Sequence, residues 1–166
     1  MVAGRTYVAR GAKAGKAMLV LSVLSMLPDA DVIGFKLGIP YGHPWGHRGA
    51  THSLMFALFV GLASYLIAQR LKLPPLRTAL FVGITVGTHG LLDALTDGGL
   101  GVELLWPFST QRFFAPWHLI PVAPIGEEMF SARGLYVVAV EAMMFAPLFI
   151  FATFPRRKPA ALDRSP

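Results

Sequence analysis

The sequence has no cysteine, which excludes disulfides, thiolate nucleophiles, zinc fingers and iron–sulfur clusters, so any metal must be held by nitrogen and oxygen. Charge is also scarce. Only 14% of the 166 residues are charged, against roughly a quarter in soluble domains, and a water-facing surface is hard to build from so few. What is present is apolar: 54% of the residues are hydrophobic, which excludes disorder. The net charge of +6 does not indicate nucleic acid, because the basic residues gather at the ends of apolar runs. No nucleic-acid partner is expected.

Three apolar runs are long enough to cross a bilayer. Ser53 to Leu71 is 19 residues, about 28 Å as a helix, and Thr78 to Leu95 and Leu135 to Phe154 are similar. A fourth run, Ala17 to Leu27, has only 11 residues. It spans if Lys13 and Lys16 snorkel and the helix borrows residues upstream; otherwise it is re-entrant or interfacial. The stretch Leu24 to Asp31 (LSMLPDAD) offers no small-x-small cleavage site, so the run is not read as a signal peptide. Leu73-Pro74-Pro75 breaks the chain between the second and third spans, giving a short hairpin. The expected fold class is all-α: a polytopic membrane protein, a small bundle of three to four transmembrane helices with short interfacial helices. Residues 1–155 form one membrane-embedded domain, and residues 156–166 a basic, disordered cytoplasmic tail.

Orientation follows from the basic residues. Arg5, Arg10, Lys13, Lys16, Arg70, Lys72, Arg77, Arg156, Arg157, Lys158 and Arg164 fall on one side of this arrangement. Lys36, Arg48, Arg112 and Arg133 fall on the other. By the positive-inside rule both termini are cytoplasmic, and the segments 28–52 and 96–134 face the periplasm or exterior of a bacterium. All five histidines and every acid except Asp163 then lie toward that outer side. Ordinary loop polarity accounts for Glu103, Glu127 and Glu128. It does not account for His89, Asp93 and Glu141, which interrupt apolar helices.

His89 and Asp93 are four residues apart and share a helix face. An ionised carboxylate at mid-membrane costs about 2.5–3.5 kcal/mol on insertion scales, so such a pair seeks a polar partner or cavity; a His–Asp bond that only ties helices together is the structural alternative. His43, His47 and His52 lie within ten residues, interleaved with glycines, and lead into the second span, with Thr51 or Ser53 as its cap. His43 is equally read as a solvated loop residue. His118, among Trp106, Phe113, Phe114 and Trp117, reads as part of a membrane-interface belt. Asp29 and Asp31 close the first run. Asp29, His47, His52, His89 and Asp93 are therefore the expected metal ligands, on helix ends that meet one membrane surface. Imidazoles and carboxylates without sulfur suit zinc, manganese or iron, as one or two divalent ions able to activate water. Asp29 or Asp31 is the expected ligand or base, and Arg48 the clamp for an anionic substrate. Asp31, Glu141 and Asp97 are candidate supporting partners behind the ligands.

Four blocks carry a resemblance: Leu-Pro-Asp-Ala-Asp (27–31), His-Arg-Gly-Ala-Thr-His-Ser (47–53), His-Gly-Leu-Leu-Asp-Ala-Leu-Thr-Asp-Gly-Gly (89–99) and Trp-Pro-Phe (106–108), in that order. Over roughly residues 6–117 the chain resembles the YdjM-like family of LexA-regulated, inner-membrane-associated proteins assigned as metal-dependent hydrolases. The resemblance implies a small polytopic membrane protein with a His/Asp metal centre outside the cytoplasm. The LexA link concerns gene control and implies no DNA binding. One position departs from the pattern: Tyr7 stands where the family commonly has a histidine.

The expected function is a metal-dependent hydrolase of the bacterial inner membrane. Its substrate would be a phosphoester or other ester of an amphiphilic, lipid-like or small anionic molecule, with membrane lipids as partners. Two alternatives remain at this stage. One is a metal-free phosphatase with a histidine nucleophile, although Ile84 to Thr88 lack the Ser-Arg lead-in of such sites. The other is a non-catalytic metal carrier or scaffold.

Overall fold

The computed structural model describes Tyr7 and residues 12–154. Among the described residues five α-helices follow in order: α1 (Ala12–Ser25), α2 (Ile33–Lys36), α3 (Leu54–Arg70), α4 (Pro75–Asp93) and α5 (Ala132–Thr153). Short 3₁₀ turns lie at Pro28–Val32, Ala50–His52 and Gly126–Phe130. No strand is formed among the described residues; two isolated bridges, Thr96 to Ile120 and Val102 to Phe113, stitch the long loop before α5.

The centre of the fold is the α3–α4 hairpin. Ser53 opens α3, its hydroxyl accepting the Phe56 amide at 3.0 Å, which satisfies one of the donors that a helix start leaves free. Lys72 turns the chain in the left-handed region (φ 55°). Pro75 then begins α4, where its missing N–H is no loss. The two helices approach closely because the residues between them are small. Gly61 lies against Ala79 and Gly83, and Gly87 against Ala57, the kind of contact that holds helices together where lipid removes the hydrophobic drive. α1 covers the other side of α4, and Leu21, Ala57, Val82 and Val86 form the buried core, with Tyr7, Leu24, Phe56 and Val60 packed on it.

α5 is 22 residues long and apolar enough to cross a bilayer, and only 11% of its most apolar stretch is buried within the protein. The first run gains length in an unexpected direction. Besides starting upstream at Ala12, it continues downstream: Gly15–Ser25 and Pro28–Lys36 together meet the length and hydropathy of a span, bent by 41° at the break. α3 has 17 residues, and glycines, threonines and His89 dilute α4. By length and composition, one helix, or two with the bent pair, is clearly membrane-spanning among the described residues. That is fewer than the three to four spans expected from apolar runs alone. The basic tail, 156–166, lies outside the described residues.

Candidate metal centre

Three segments meet at one end of the hairpin. The 3₁₀ turn after α1 carries Asp29 and Asp31, the 3₁₀ turn before α3 carries His52, and the last turns of α4 carry His89 and Asp93. One donor atom each from Asp29, His52, His89 and Asp93 falls within 4.8 Å of the others. His52 Nε2 lies 3.5 Å from Asp29 Oδ1 and 3.2 Å from Asp93 Oδ2. His89 Nε2 lies 3.2 Å from Asp29 Oδ1 and 3.7 Å from Asp93 Oδ2. His52 Nε2, His89 Nε2 and Asp93 Oδ2 are all buried and make no hydrogen bond. Close to one another but without a hydrogen bond, three buried donor atoms aimed at one point suit a cation. Two imidazoles and two carboxylates are a hard-to-borderline donor set suited to zinc, manganese or iron.

The other expected residues stand behind this point. Asp31, read from sequence as ligand or base, is buried (side chain 2% exposed) and already engaged. His47 Nδ1 is 2.7 Å from its Oδ1, and its Oδ2 accepts from the Thr51 hydroxyl at 2.7 Å and the Arg48 amide at 3.3 Å. His47 forms a second possible group with Asp31 and His52, but its near nitrogen already faces Asp31. Arg48, read as an anion clamp, is likewise buried. Its Nη1 donates to Thr96 Oγ1 at 2.8 Å and to the Gly98 carbonyl at 3.0 Å, and its Nη2 lies 3.4 Å from Asp93 Oδ1. It holds Asp93 from behind rather than reaching outward. Its backbone is left-handed (φ 62°). Asp97 accepts the Val122 amide at 2.6 Å and lies 3.9 Å from Arg133, tying loops together outside the cluster. Glu141 makes no hydrogen bond or ion pair among the described residues. His43 accepts the Trp45 amide, and exposed His118 meets Phe114 edge-on, 5.4 Å between centroids; neither is part of the cluster.

Burial alone would pull His52 toward neutrality, but the carboxylates of Asp29, Asp31 and Asp93 push its pKa up from 6.5 to about 10. At neutral pH the ion-free site therefore carries an imidazolium that a divalent cation must deprotonate. We expect metal uptake between pH 7 and 9 to release a proton and to strengthen as pH rises toward 10. Calorimetric heats of zinc binding in buffers of differing ionisation enthalpy measure this directly, and heats independent of the buffer would contradict it. The raised pKa also stabilises the ion-free fold. That contribution is complete below pH 6.5 and is lost as pH climbs through about 10.

The sequence profile of the YdjM inner membrane protein family matches residues 1–158. The chain belongs to this family. Inner membrane protein YbcI of Escherichia coli K12 is 44% identical over 124 residues, covering 74% of this chain and 72% of that protein. Inner membrane protein YdjM of Escherichia coli K12 and that of Shigella flexneri are each 35% identical over 127 residues, covering 69% of this chain and 60% of theirs. No solved structure matches. YdjM-family membership supports an inner-membrane location. It also bears on Tyr7, whose hydroxyl lies 2.7 Å from Thr78 Oγ1 and whose ring meets Phe81 edge-on at 5.5 Å. Thr78 is eleven residues before His89 on α4, about 16 Å along the axis, so the departure at position 7 removes no donor from this cluster.

Two features of this YdjM-family chain escaped the sequence reading. Thr51, read only as a cap, bridges Asp31 and His52. Glu103, read as an ordinary loop acid, is 1% exposed and paired with Arg112 at 3.0 Å. No local pattern marks either, because both contacts join distant segments or depend on side-chain direction.

Proposed function

We propose that this YdjM-family protein is a membrane-embedded, metal-dependent hydrolase acting on a phosphoester or other ester of an amphiphilic or lipid substrate. The supporting observation is the convergence of Asp29, His52, His89 and Asp93, with three of their donor atoms buried and without a hydrogen bond. These four side chains would hold one divalent ion. When bound, such an ion supplies Lewis acidity toward an ester oxygen and lowers the pKa of water. Asp29 is the accessible edge of the group, 43% exposed against 18% or less for the others, so substrate approaches from its side. The Asp29 carboxylate is also the one placed to take a proton from an incoming water. Arg48 keeps Asp93 oriented, and His52, fully buried, excludes solvent from the rear of the site.

In the membrane, the apolar lengths of the bent first segment, α3, α4 and α5 favour three to four crossings. The basic residues flanking them favour cytoplasmic termini and a site facing outward. A site at the outer ends of these segments would suit a substrate arriving from the lipid. Metal analysis of detergent-purified protein tests the core of the reading. Wild type should retain about one zinc, manganese or iron per chain, and His52→Ala and His89→Ala should retain almost none. Release of phosphate from phosphatidic acid should fall to background in both variants and on chelation. Metal content unchanged in the variants would remove the proposal, and ion uptake into vesicles without hydrolysis would replace it with a carrier.

A further inference from the structure

We infer that Asp31 and Thr51 act as a positioning pair that fixes which nitrogen of His52 carries its hydrogen, and so which one turns a lone pair to the metal centre. This rests on the proposed site and concerns the side of His52 turned away from it. The argument is a count of protons. Asp31 is a carboxylate surrounded by donors: the Thr51 hydroxyl at 2.7 Å, the Arg48 amide at 3.3 Å, and His47 Nδ1 at 2.7 Å. Thr51 has a single hydroxyl proton, and it is directed to Asp31. The remaining contact of Thr51 Oγ1, with His52 Nδ1 at 3.1 Å, must then be one in which oxygen accepts. Nδ1 of His52 therefore carries the hydrogen, a placement favoured again by Asp31 Oδ2 at 3.1 Å from the same nitrogen. The neutral ring can only be the tautomer whose lone pair sits on Nε2, the atom that points at Asp29, His89 and Asp93.

The same count separates the two His/Asp groups of this chain. In the outer one three donor atoms have no hydrogen-bond partner. In the inner one, His47 Nδ1 is already 2.7 Å from Asp31 Oδ1, and the Thr51 hydroxyl is hydrogen-bonded to both Asp31 and His52. The inner group orients and the outer group coordinates, so the chain takes one ion and not two. Supporting contacts of this kind typically change metal affinity by 10–100-fold when lost.

Thr51→Val keeps the shape of the side chain and deletes the hydroxyl, while Thr51→Ser restores it. Cobalt(II) titration of the purified protein, followed by its visible absorption, should give one ion per chain. The Kd should be weakened about 10–100-fold in Thr51→Val and returned to near wild type in Thr51→Ser. Nitrogen-15 NMR of histidine-labelled, ion-free protein above pH 10 should show His52 protonated at Nδ1 in wild type and a mixture of tautomers in Thr51→Val. This readout does not depend on hydrolysis or on metal being retained. Equal tautomer populations in wild type and Thr51→Val would overturn the inference even if the site binds metal. A second ion lost selectively in His47→Gln would overturn it as well. Failure of wild type to bind cobalt, with the tautomer pattern intact, would instead remove the metal site and leave the positioning pair.

Discussion

Arg112→Met is expected to destabilise the protein by about 3–5 kcal/mol, the range seen when one partner of a buried ion pair is removed. Glu103 is 1% exposed; its Oε1 lies 3.0 Å from Arg112 Nη2, and its Oε2 makes no hydrogen bond. Without the guanidinium an uncompensated carboxylate would remain inside the fold. Arg112 does more than neutralise it. Its two terminal nitrogens donate to the carbonyls of Tyr41, His43, His47 and Gly101, so the glycine-rich loop that delivers His47 and His52 is wrapped around this one side chain. Thermal unfolding of the ion-free protein in detergent, followed by circular dichroism, should show a fall in Tm on the order of 10 °C. The double variant Arg112→Met with Glu103→Gln should recover part of the loss, because it removes the stranded charge but not the missing loop contacts. A loss below about 1 kcal/mol in the single variant would show that the pair does not organise the loop.

Gly90→Ala is expected to damage the metal centre without touching any ligand. A β-carbon at position 90 would fall on the carbonyl oxygen of His52, so α4 and the 3₁₀ turn before α3 would have to part. Overpacking of this kind costs about 1–3 kcal/mol. The displaced group is the backbone of a proposed ligand, so zinc retention should fall at least tenfold alongside the loss of stability. Gly15→Ala on α1 is the control: its β-carbon meets nothing within 4 Å, and removing a helix glycine should be neutral or stabilising by about 0.5–1 kcal/mol. If Gly90→Ala retained zinc like wild type, the close approach of α4 to His52 would not be what forms the site.

Much of this arrangement was legible in the sequence, and for identifiable reasons. His89 and Asp93 share a face of α4 because helical periodicity requires it, whatever surrounds them. The runs at 53–71, 78–95 and 135–154 correspond to α3, α4 and α5 within a few residues, since length and apolarity are local properties. The fate of Ala17–Leu27 was less legible. Pro28 reads as an end, yet the chain resumes helical turns beyond it and carries the two aspartates with it. The roles within the site were not legible either. Asp29 and Asp31 look alike as Asp-x-Asp, but in a 3₁₀ turn they point to different sides, one into the cluster and one into a nest of donors. Arg48 offered no local sign that its guanidinium would be taken up by Thr96 and Gly98, some fifty residues away. Spacing indicated which residues gather at one end of the hairpin; only tertiary contacts separate the four that converge from those that brace them.

The bend after Ser25 has a mechanical consequence. Asp29 is the only member of the convergent four that belongs to the first segment; His52, His89 and Asp93 all come from the hairpin or its threshold. An ion seated among them would act as a rivet between two parts of the chain, beside the hydrogen bonds of Asp31 and the apolar contact along α1 and α4. Folding of the first described segment onto the hairpin and loading of the centre would then be one coupled event, and a chain would complete its ion site only once α1 had docked on α4.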